Sequence, residues 1–507
     1  MDGNLTESNH RSNKRKSTVT SVLTMFLLAF GILFLFSMFW LFKTFPNVNL
    51  DELIYQITAP IEGTNVEMIQ DYLWTALLPS VVIFVICFFF YWILKERKGM
   101  CKKIYTVLAA ILIAFSSTVI YTKLDVQAYL KANSKENRMF IEQNYVDPAT
   151  TEITFPEQKR NLLYIYLESV ETTFASKDVG GAFDENLIPE LTQLSIENES
   201  FAGDSGQING AIALSGSTWT VGSMFSGSSG LPLKVSLDGN SMNTQSQFFG
   251  TTTTMGDVLL QNGYKNTLLI GSDANFGGRK LYYTTHGDYE ILDLEANQKA
   301  HRLPTDDYHV WWGFEDMYLY QIAQEKLTEL GNSDQPFNLT MLTVDTHFQD
   351  GYKCALCGNE HPDNPYADVY SCASRQLGSF IEWCKAQPWY ANTTIVITGD
   401  HPTMDGDFCS DVDPNYQRRV FTTILNSSAD NAMPESYRVY STFDLFPTTL
   451  ASLGAEISGN RLGLGTNLYS GARTLTEEYG VEDENVKLMA RSKFMKERAA
   501  IEKIPAE

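Results

Sequence analysis

The sequence predicts an α/β domain preceded by three membrane-spanning helices. Three observations predict it. Four apolar runs each end on ionisable residues; helical stretches alternate with them; and three apolar stretches of membrane length fall within the first 122 residues. Alternation of strands and helices is the α/β signature, and runs apolar on both faces belong to a buried, mostly parallel sheet.

The spans come first. They run from about Val19 to Phe42, Tyr72 to Leu94 and Ile104 to Tyr121, each near the roughly 20 residues a bilayer requires. Pro79 lies in the second, where neighbouring helices tolerate it. Arg11, Lys14, Arg15 and Lys16 precede the first span, and Lys95, Arg97, Lys98, Lys102 and Lys103 separate the second from the third. The loop between the first and second carries Asp51, Glu52, Glu62, Glu67 and Asp71 instead. Positive charge stays in the cytoplasm, so the expected cytoplasmic segments are the N-terminus and the second loop, with everything after Tyr121 outside. The first span is longer than a signal-peptide apolar region and has no clear small-residue cleavage site, so it reads as an anchor.

The expected organisation is therefore a cytoplasmic N-terminus (1–18), a three-helix membrane region (19–122), a polar connector (123–160), an extracytoplasmic catalytic domain (161–473) and a charged tail (474–507) forming a surface helix. Of 38 Lys+Arg and 60 Asp+Glu, the first 122 residues hold only 10 and 8, so the external part is at −24 and the front at +2. A basic footprint for nucleic acid is absent. Five cysteines fall in the external part: Cys354, Cys357, Cys372, Cys384 and Cys409. An oxidising compartment favours disulfides among them, with at least one cysteine left over; half of a zinc site at Cys354-x-x-Cys357, with His361 nearby, is the alternative.

The external strands deliver the chemistry. Asn161–Leu167 ends on Glu168, Asn266–Gly271 on Ser272-Asp273, Asn338–Val344 on Asp345-Thr346-His347, and Asn392–Thr398 on Gly399-Asp400-His401. Open α/β sheets build their sites at the carboxyl ends of strands, and four such ends argue for one crevice. Arg419–Leu425 reads as a further strand, and Glu315–Leu330, Tyr370–Ala386 and Asp444–Gly454 as helices. Between the first two strands lies Ser215-Gly-Ser-Thr-Trp-Thr-Val-Gly-Ser-Met224, whose small residues and hydroxyls suit a phosphate. Glu168, Asp400, His401 and a hydroxyl from this segment would form a mixed oxygen/nitrogen site for a divalent cation, which makes a nucleophile of a poor alcohol.

These residues resemble a family. Glu168, Gly216–Met224, Asp345-Thr346-His347 with Asp350-Gly351, Gly399-Asp400-His401 and Arg461-Leu-Gly-Leu-Gly465 are similar to motifs of the alkaline-phosphatase/sulfatase superfamily. Within it they most resemble the membrane-bound phosphoglycerol transferases, a group that includes the enzyme acting on periplasmic glucans and, more distantly, lipoteichoic acid synthase. The resemblance covers roughly 161–470.

It implies a central, mostly parallel sheet between helical layers, and a manganese-type ion (magnesium or zinc being the alternatives) held by Glu168, a nucleophilic hydroxyl, Asp400 and His401. In these transferases a nucleophilic Thr lies seven residues before a Met, and a gapless match sets it on Ser217, ahead of Thr218 and Thr220. His347 resembles the histidine near the phosphoglycerol group. Arg279, in Phe276-Gly277-Gly278-Arg279, stands where lipoteichoic acid synthase carries a Phe-Trp-Asn-Arg loop; the Trp, an aromatic wall for the headgroup, is missing.

The function so implied is a multi-pass transferase of the bacterial cytoplasmic (inner) membrane. It would move phosphoglycerol from a phosphatidylglycerol-like phospholipid to a hydroxyl of a glycan or envelope polymer through a covalent intermediate. A phosphoethanolamine transferase and a metal-dependent phosphodiesterase or sulfatase-like hydrolase are the alternatives. The Cys/Ser-x-Pro-x-Arg context in which sulfatases mature their nucleophile does not occur.

Overall fold

A computed structural model of the chain describes residues 2–46, 48–58, 66–235 and 246–499. The side chains of residues 2–17, 66, 67 and Lys95 lie outside that description, as do residues 59–65 and 500–507; these include the basic residues before the first span and Glu62 and Glu67 of the acidic loop. The chain divides into two units, one of residues 1–48 and 64–127, the other of 49–63 and 128–507.

In the first unit the three apolar stretches are helices long and apolar enough to cross a membrane: Thr18–Thr44, Met68–Ile93 and Lys98–Lys123. Most of their large apolar side chains, such as Phe26, Val85 and Trp92, face outward, as in a helix bundle solvated by lipid. The first and third spans approach closely at Gly31, where an added Cβ would lie 3.3 Å from the Ala109 carbonyl oxygen. Small residues at such a crossing let backbones pack in the absence of a hydrophobic driving force. Hydrogen bonds fasten the same bundle: Tyr91 Oη donates to Ser21 Oγ (3.0 Å) and Trp40 Nε1 to Asp71 Oδ2 (2.9 Å).

The second unit is built on a sheet of seven strands: β1 (Asn161–Leu167), β2 (Gly210–Ala211), β3 (Lys265–Ile270), β4 (Glu290–Leu292), β5 (Phe337–Leu342), β6 (Thr393–Gly399) and β7 (Val420–Leu425). Their order is β2-β7-β6-β1-β5-β3-β4. The five strands from β6 to β4 run parallel, and β7 and β2 add antiparallel pairings at one side. Six consecutive β-branched residues, Thr393–Thr398, make β6 a stiff central strand, buried along its length.

Both faces are covered. Leu163, Ile165 and Leu167 of β1 pack with Leu191, Leu319, Leu327, Leu377 and Phe380 of three helices (Pro189–Glu197, Asp316–Gly331, Pro365–Lys385). Tyr164 and Tyr166, pointing the other way, meet the helix Thr220–Ser229 at Gly227. The expected α/β class with a mostly parallel sheet between helical layers is the observed one.

Three expectations change. The connector is folded: its Ile153–Thr154 pairs with Glu456–Ile457. Among its described residues the tail is three short helices, Leu475–Tyr479, Val481–Met489 and Lys493–Ala499, which bury Leu488 and Met495 in place of one surface helix. The cysteines are all free, so the expected disulfides are not formed.

Candidate active site

Strand register builds the site. Leu167 of β1 lies directly beside Gly399 of β6, so the residues that follow, Glu168 and Asp400, emerge side by side. Gly399 permits this, because a Cβ there would stand 1.9 Å from the Val170 carbonyl oxygen. Ser169 turns the chain in the left-handed region (φ 55), a conformation that costs a non-glycine residue on the order of 1 kcal/mol and collects at functional sites. That turn aims its N–H at Asp400 Oδ1 (2.7 Å), while its hydroxyl donates to Glu168 Oε1 (2.8 Å).

His401 Nε2 lies 3.4 Å from Glu168 Oε1 and 3.4 Å from Asp400 Oδ2. Its Nδ1 is 2.9 Å from the Pro402 carbonyl oxygen, which only accepts, so the proton belongs on Nδ1 and the Nε2 lone pair faces the carboxylates. All three side chains are buried, and Asp400 Oδ2 has no hydrogen-bond partner. Burial, with the Glu168 charge, pushes the Asp400 carboxyl up to about 8. Burial acts the same way on Glu168, but the imidazoles of His347 and His401 and the Ser169 hydroxyl hold it below its ordinary value. His401 is raised: burial opposes its charge, and the two carboxylates overcome that. Two carboxylates and an imidazole nitrogen converging around an orphaned oxygen are a donor set for one divalent cation, whose charge would replace the protons that otherwise crowd the site.

The hydroxyl segment does not deliver the residue expected. Ser217 is wholly buried and its Oγ donates to the Leu214 carbonyl oxygen (2.8 Å), turned into its own loop. Thr218 accepts from Asn49 Nδ2 (2.6 Å). Thr220 is the hydroxyl at the site, with Oγ1 3.3 Å from both Glu168 Oε2 and His401 Nε2. Trp219 is extended and Thr220 opens the helix Thr220–Ser229, so helical phase rather than spacing to Met224 decides which hydroxyl faces the ligands. Ser217, the hydroxyl expected as nucleophile and metal ligand, is therefore not brought to Glu168 and His401, whereas Thr220 is. Because Thr220 opens its helix, the free N–H groups and positive dipole end of that helix lie at this site.

His347 and Arg279 border the same centre. The His347 ring lies 4.6 Å from Trp312 and 5.7 Å from Trp311 between centroids, and burial lowers its pKa. Arg279 is buried; its Nε donates to the Phe276 carbonyl oxygen (3.1 Å) and Nη2 to that of Asp273 (2.7 Å), and its charge is felt by Glu168. Trp312 also packs on Phe276 at 5.4 Å. Trp311 and Trp312, which the sequence did not single out, thus set aromatic faces beside His347 and, for Trp312, beside Phe276. Asp345 sits behind, beside Asp316, whose carboxylate accepts the N–H groups of Val344 (2.7 Å) and Asp345 (3.2 Å) and so fixes the turn that carries His347.

A second omission is larger. The helix Leu50–Thr58, from the acidic loop between the first two spans, belongs to the second unit and packs there. Asn49 caps it by accepting the Glu52 N–H (2.9 Å). Asp51 pairs with Lys234 Nζ (2.7 Å) and accepts from Ser215 Oγ (2.6 Å); Tyr55 donates to the Gly277 carbonyl oxygen and packs on Trp219. Glu52 is buried with Oε2 unpartnered, within electrostatic reach of His401, and burial pushes its carboxyl up to about 8. An asparagine cap before a nine-residue helix too short to span a membrane was the available signal.

The Sulfatase family model matches residues 160–455, more than half of the chain, and the chain belongs to that family. Phosphoglycerol transferase I of Escherichia fergusonii is 30% identical over 389 residues, covering 75% of this chain and 48% of that protein. Phosphoglycerol transferase I of Salmonella choleraesuis is 28% identical over 436 residues, covering 85% and 54%. The chain spans about half the length of the curated relatives it matches. Among solved structures, lipoteichoic acid synthase LtaP of Listeria monocytogenes is similar at 19% identity and a TM-score of 0.49, over 66% of this chain and 81% of that one.

Proposed function

We propose that this protein is a membrane-anchored phosphoglycerol transferase of the bacterial cytoplasmic membrane, working through a covalent Thr220 intermediate. The observation that carries the reading is the Thr220 hydroxyl at a helix N-terminus, 3.3 Å from both Glu168 and His401. The likeness to phosphoglycerol transferase I supports the choice of transferred group, and the three apolar helices suit a lipid donor.

Glu168, Asp400, His401 and Thr220 would hold a divalent ion, manganese on the family resemblance. The ion supplies Lewis-acid polarisation, which eases loss of the hydroxyl proton. Thr220 Oγ1 attacks the phosphorus of the donor phosphodiester. A bond forms from the threonine oxygen to phosphorus, the bond to the diacylglycerol oxygen breaks, and that oxygen leaves with a proton. An acceptor hydroxyl on a glycan or envelope polymer then attacks the glycerophosphoryl-threonine, and the Thr220 oxygen departs and is reprotonated. Arg279, His347 and the Trp311-Trp312 wall surround the centre and fit a polar headgroup with an apolar edge.

The test incubates the purified full-length protein with fluorescent phosphatidylglycerol and Mn²⁺. Expected is diacylglycerol release, lost by at least ~10³-fold in Thr220→Ala and largely kept in Ser217→Ala. Mass spectrometry of the trapped adduct is expected to give glycerophosphate on Thr220. Phosphoethanolamine on Thr220 would transfer the assignment to the neighbouring chemistry, and release persisting in Thr220→Ala would refute the nucleophile.

A further inference from the structure

Three cysteines outside the catalytic centre meet at one point. Cys354 Sγ lies 3.7 Å from Cys357 Sγ and 3.9 Å from Cys372 Sγ, and all three sulfurs lie within 4.8 Å of one another. These separations are too long for a disulfide, whose sulfurs stand about 2.05 Å apart. They match another geometry. With metal–sulfur bonds of about 2.3 Å, two thiolates on a tetrahedral zinc ion are ~3.8 Å apart, the edge of the tetrahedron.

The local chain is built for this. The Cys357 N–H donates to the Cys354 carbonyl oxygen (3.1 Å), the tight turn that brings a Cys-x-x-Cys pair to one side. Cys372 comes from the helix Pro365–Lys385, and Gln376, one turn on, places Nε2 3.3 Å from Cys372 Sγ and 3.8 Å from Cys354 Sγ. Such an N–H donor to sulfur is what an outer group around a metal thiolate provides. Cys354 and Cys372 are buried and Cys357 is half-exposed, which leaves a solvent side for a fourth ligand. His361 is turned elsewhere, its Nδ1 3.9 Å from Glu185.

We propose that Cys354, Cys357 and Cys372 bind a zinc ion through three thiolates, its fourth position open to solvent on the Cys357 side. The ion clamps the segment that follows His347 onto the Pro365–Lys385 helix. The same segment is held there by Lys353 on Asp368 (2.6 Å) and by the His361 N–H on Asp368 Oδ1 (2.8 Å). Soft sulfur ligands in a tetrahedral arrangement select zinc over the hard ions that suit Glu168 and Asp400.

The test uses the full-length protein in detergent. A mercurial that titrates thiols is expected to release about one zinc per chain into a chromogenic chelator. After exchange with Co²⁺, a thiolate-to-cobalt charge-transfer band is expected; the Glu168, Asp400 and His401 set holds no sulfur and gives none. Cys372→Ser is expected to abolish the band, and the wild-type spectrum decides the matter even where that variant fails to fold. A disulfide between any two of the three cysteines in unreduced peptides, or three freely alkylated thiols with no cobalt band, overturns the proposal.

Discussion

Thr220 has its place because it is the first residue of a helix, not because its loop is rich in hydroxyls. Ser217, three residues earlier, spends its hydroxyl on the Leu214 carbonyl oxygen. Spacing along a chain does not encode which way a side chain points; the change from extended Trp219 to helical Thr220 does. Glu168 and the pair Asp400-His401 were legible because they follow strands whose pattern is readable. Glu52 was not, since nothing in its own loop marks it as facing a centre more than a hundred residues away in sequence. Its buried, unpartnered carboxyl oxygen beside that centre leads to a prediction. Glu52→Gln keeps the shape and removes the acid, and the rate of diacylglycerol release is expected to fall by about 10²-fold with little change in unfolding temperature. An unchanged rate would remove Glu52 from the chemistry.

At the scale of elements, β1, β3, β5, β6 and β7 were readable within a residue or two, because strands buried on both faces leave unbroken apolar runs. The edge strands β2 and β4, two and three residues long, were not, since so short a run has no period. The tail was misjudged for a different reason: its charges are real but not all exposed. Glu484, in Val481–Met489, is buried, and burial pushes its carboxyl up to about 8 from an ordinary 4.5. A folded-state value above the unfolded one means the folded chain holds the proton more tightly. This contribution to stability is complete below about pH 4.5 and is lost as pH rises through about 8. Glu484→Gln is therefore expected to stabilise the protein by a few kcal/mol at pH 9, at roughly 1.4 kcal/mol per unit of raised pKa, and to do little at pH 4. Unfolding midpoints measured across that range check it; an equal effect at both pH values would show that burial of the charge is not the cause.

For the whole molecule, the assignment of residues 49–63 to the catalytic unit has a consequence for any soluble fragment. Lys234 and Asp51, with side chains only 8% and 10% exposed, form an ion pair at 2.7 Å. Removing one partner of a buried pair strands the other charge, at a cost of about 3–5 kcal/mol. A fragment beginning at Ala128 loses Asp51, so its domain is expected to unfold at lower denaturant than in the full chain, and Asp51→Ala in the full chain should reproduce most of the loss. Equal stability of fragment and full-length domain would refute this. The sequence by itself determined the three apolar spans, the α/β sheet and the Glu168, Asp400 and His401 candidates, all of which rest on local pattern: apolar length, strand burial, and the residues just past a strand end. Only the tertiary structure decided that Thr220 is the hydroxyl beside Glu168 and His401, that Trp312 packs between His347 and Phe276, and that a loop helix reaches the same centre. Those depend on helical phase and on contacts such as Asn49 with Thr218, 169 residues apart, and neither is written in the order of residues near any one of them.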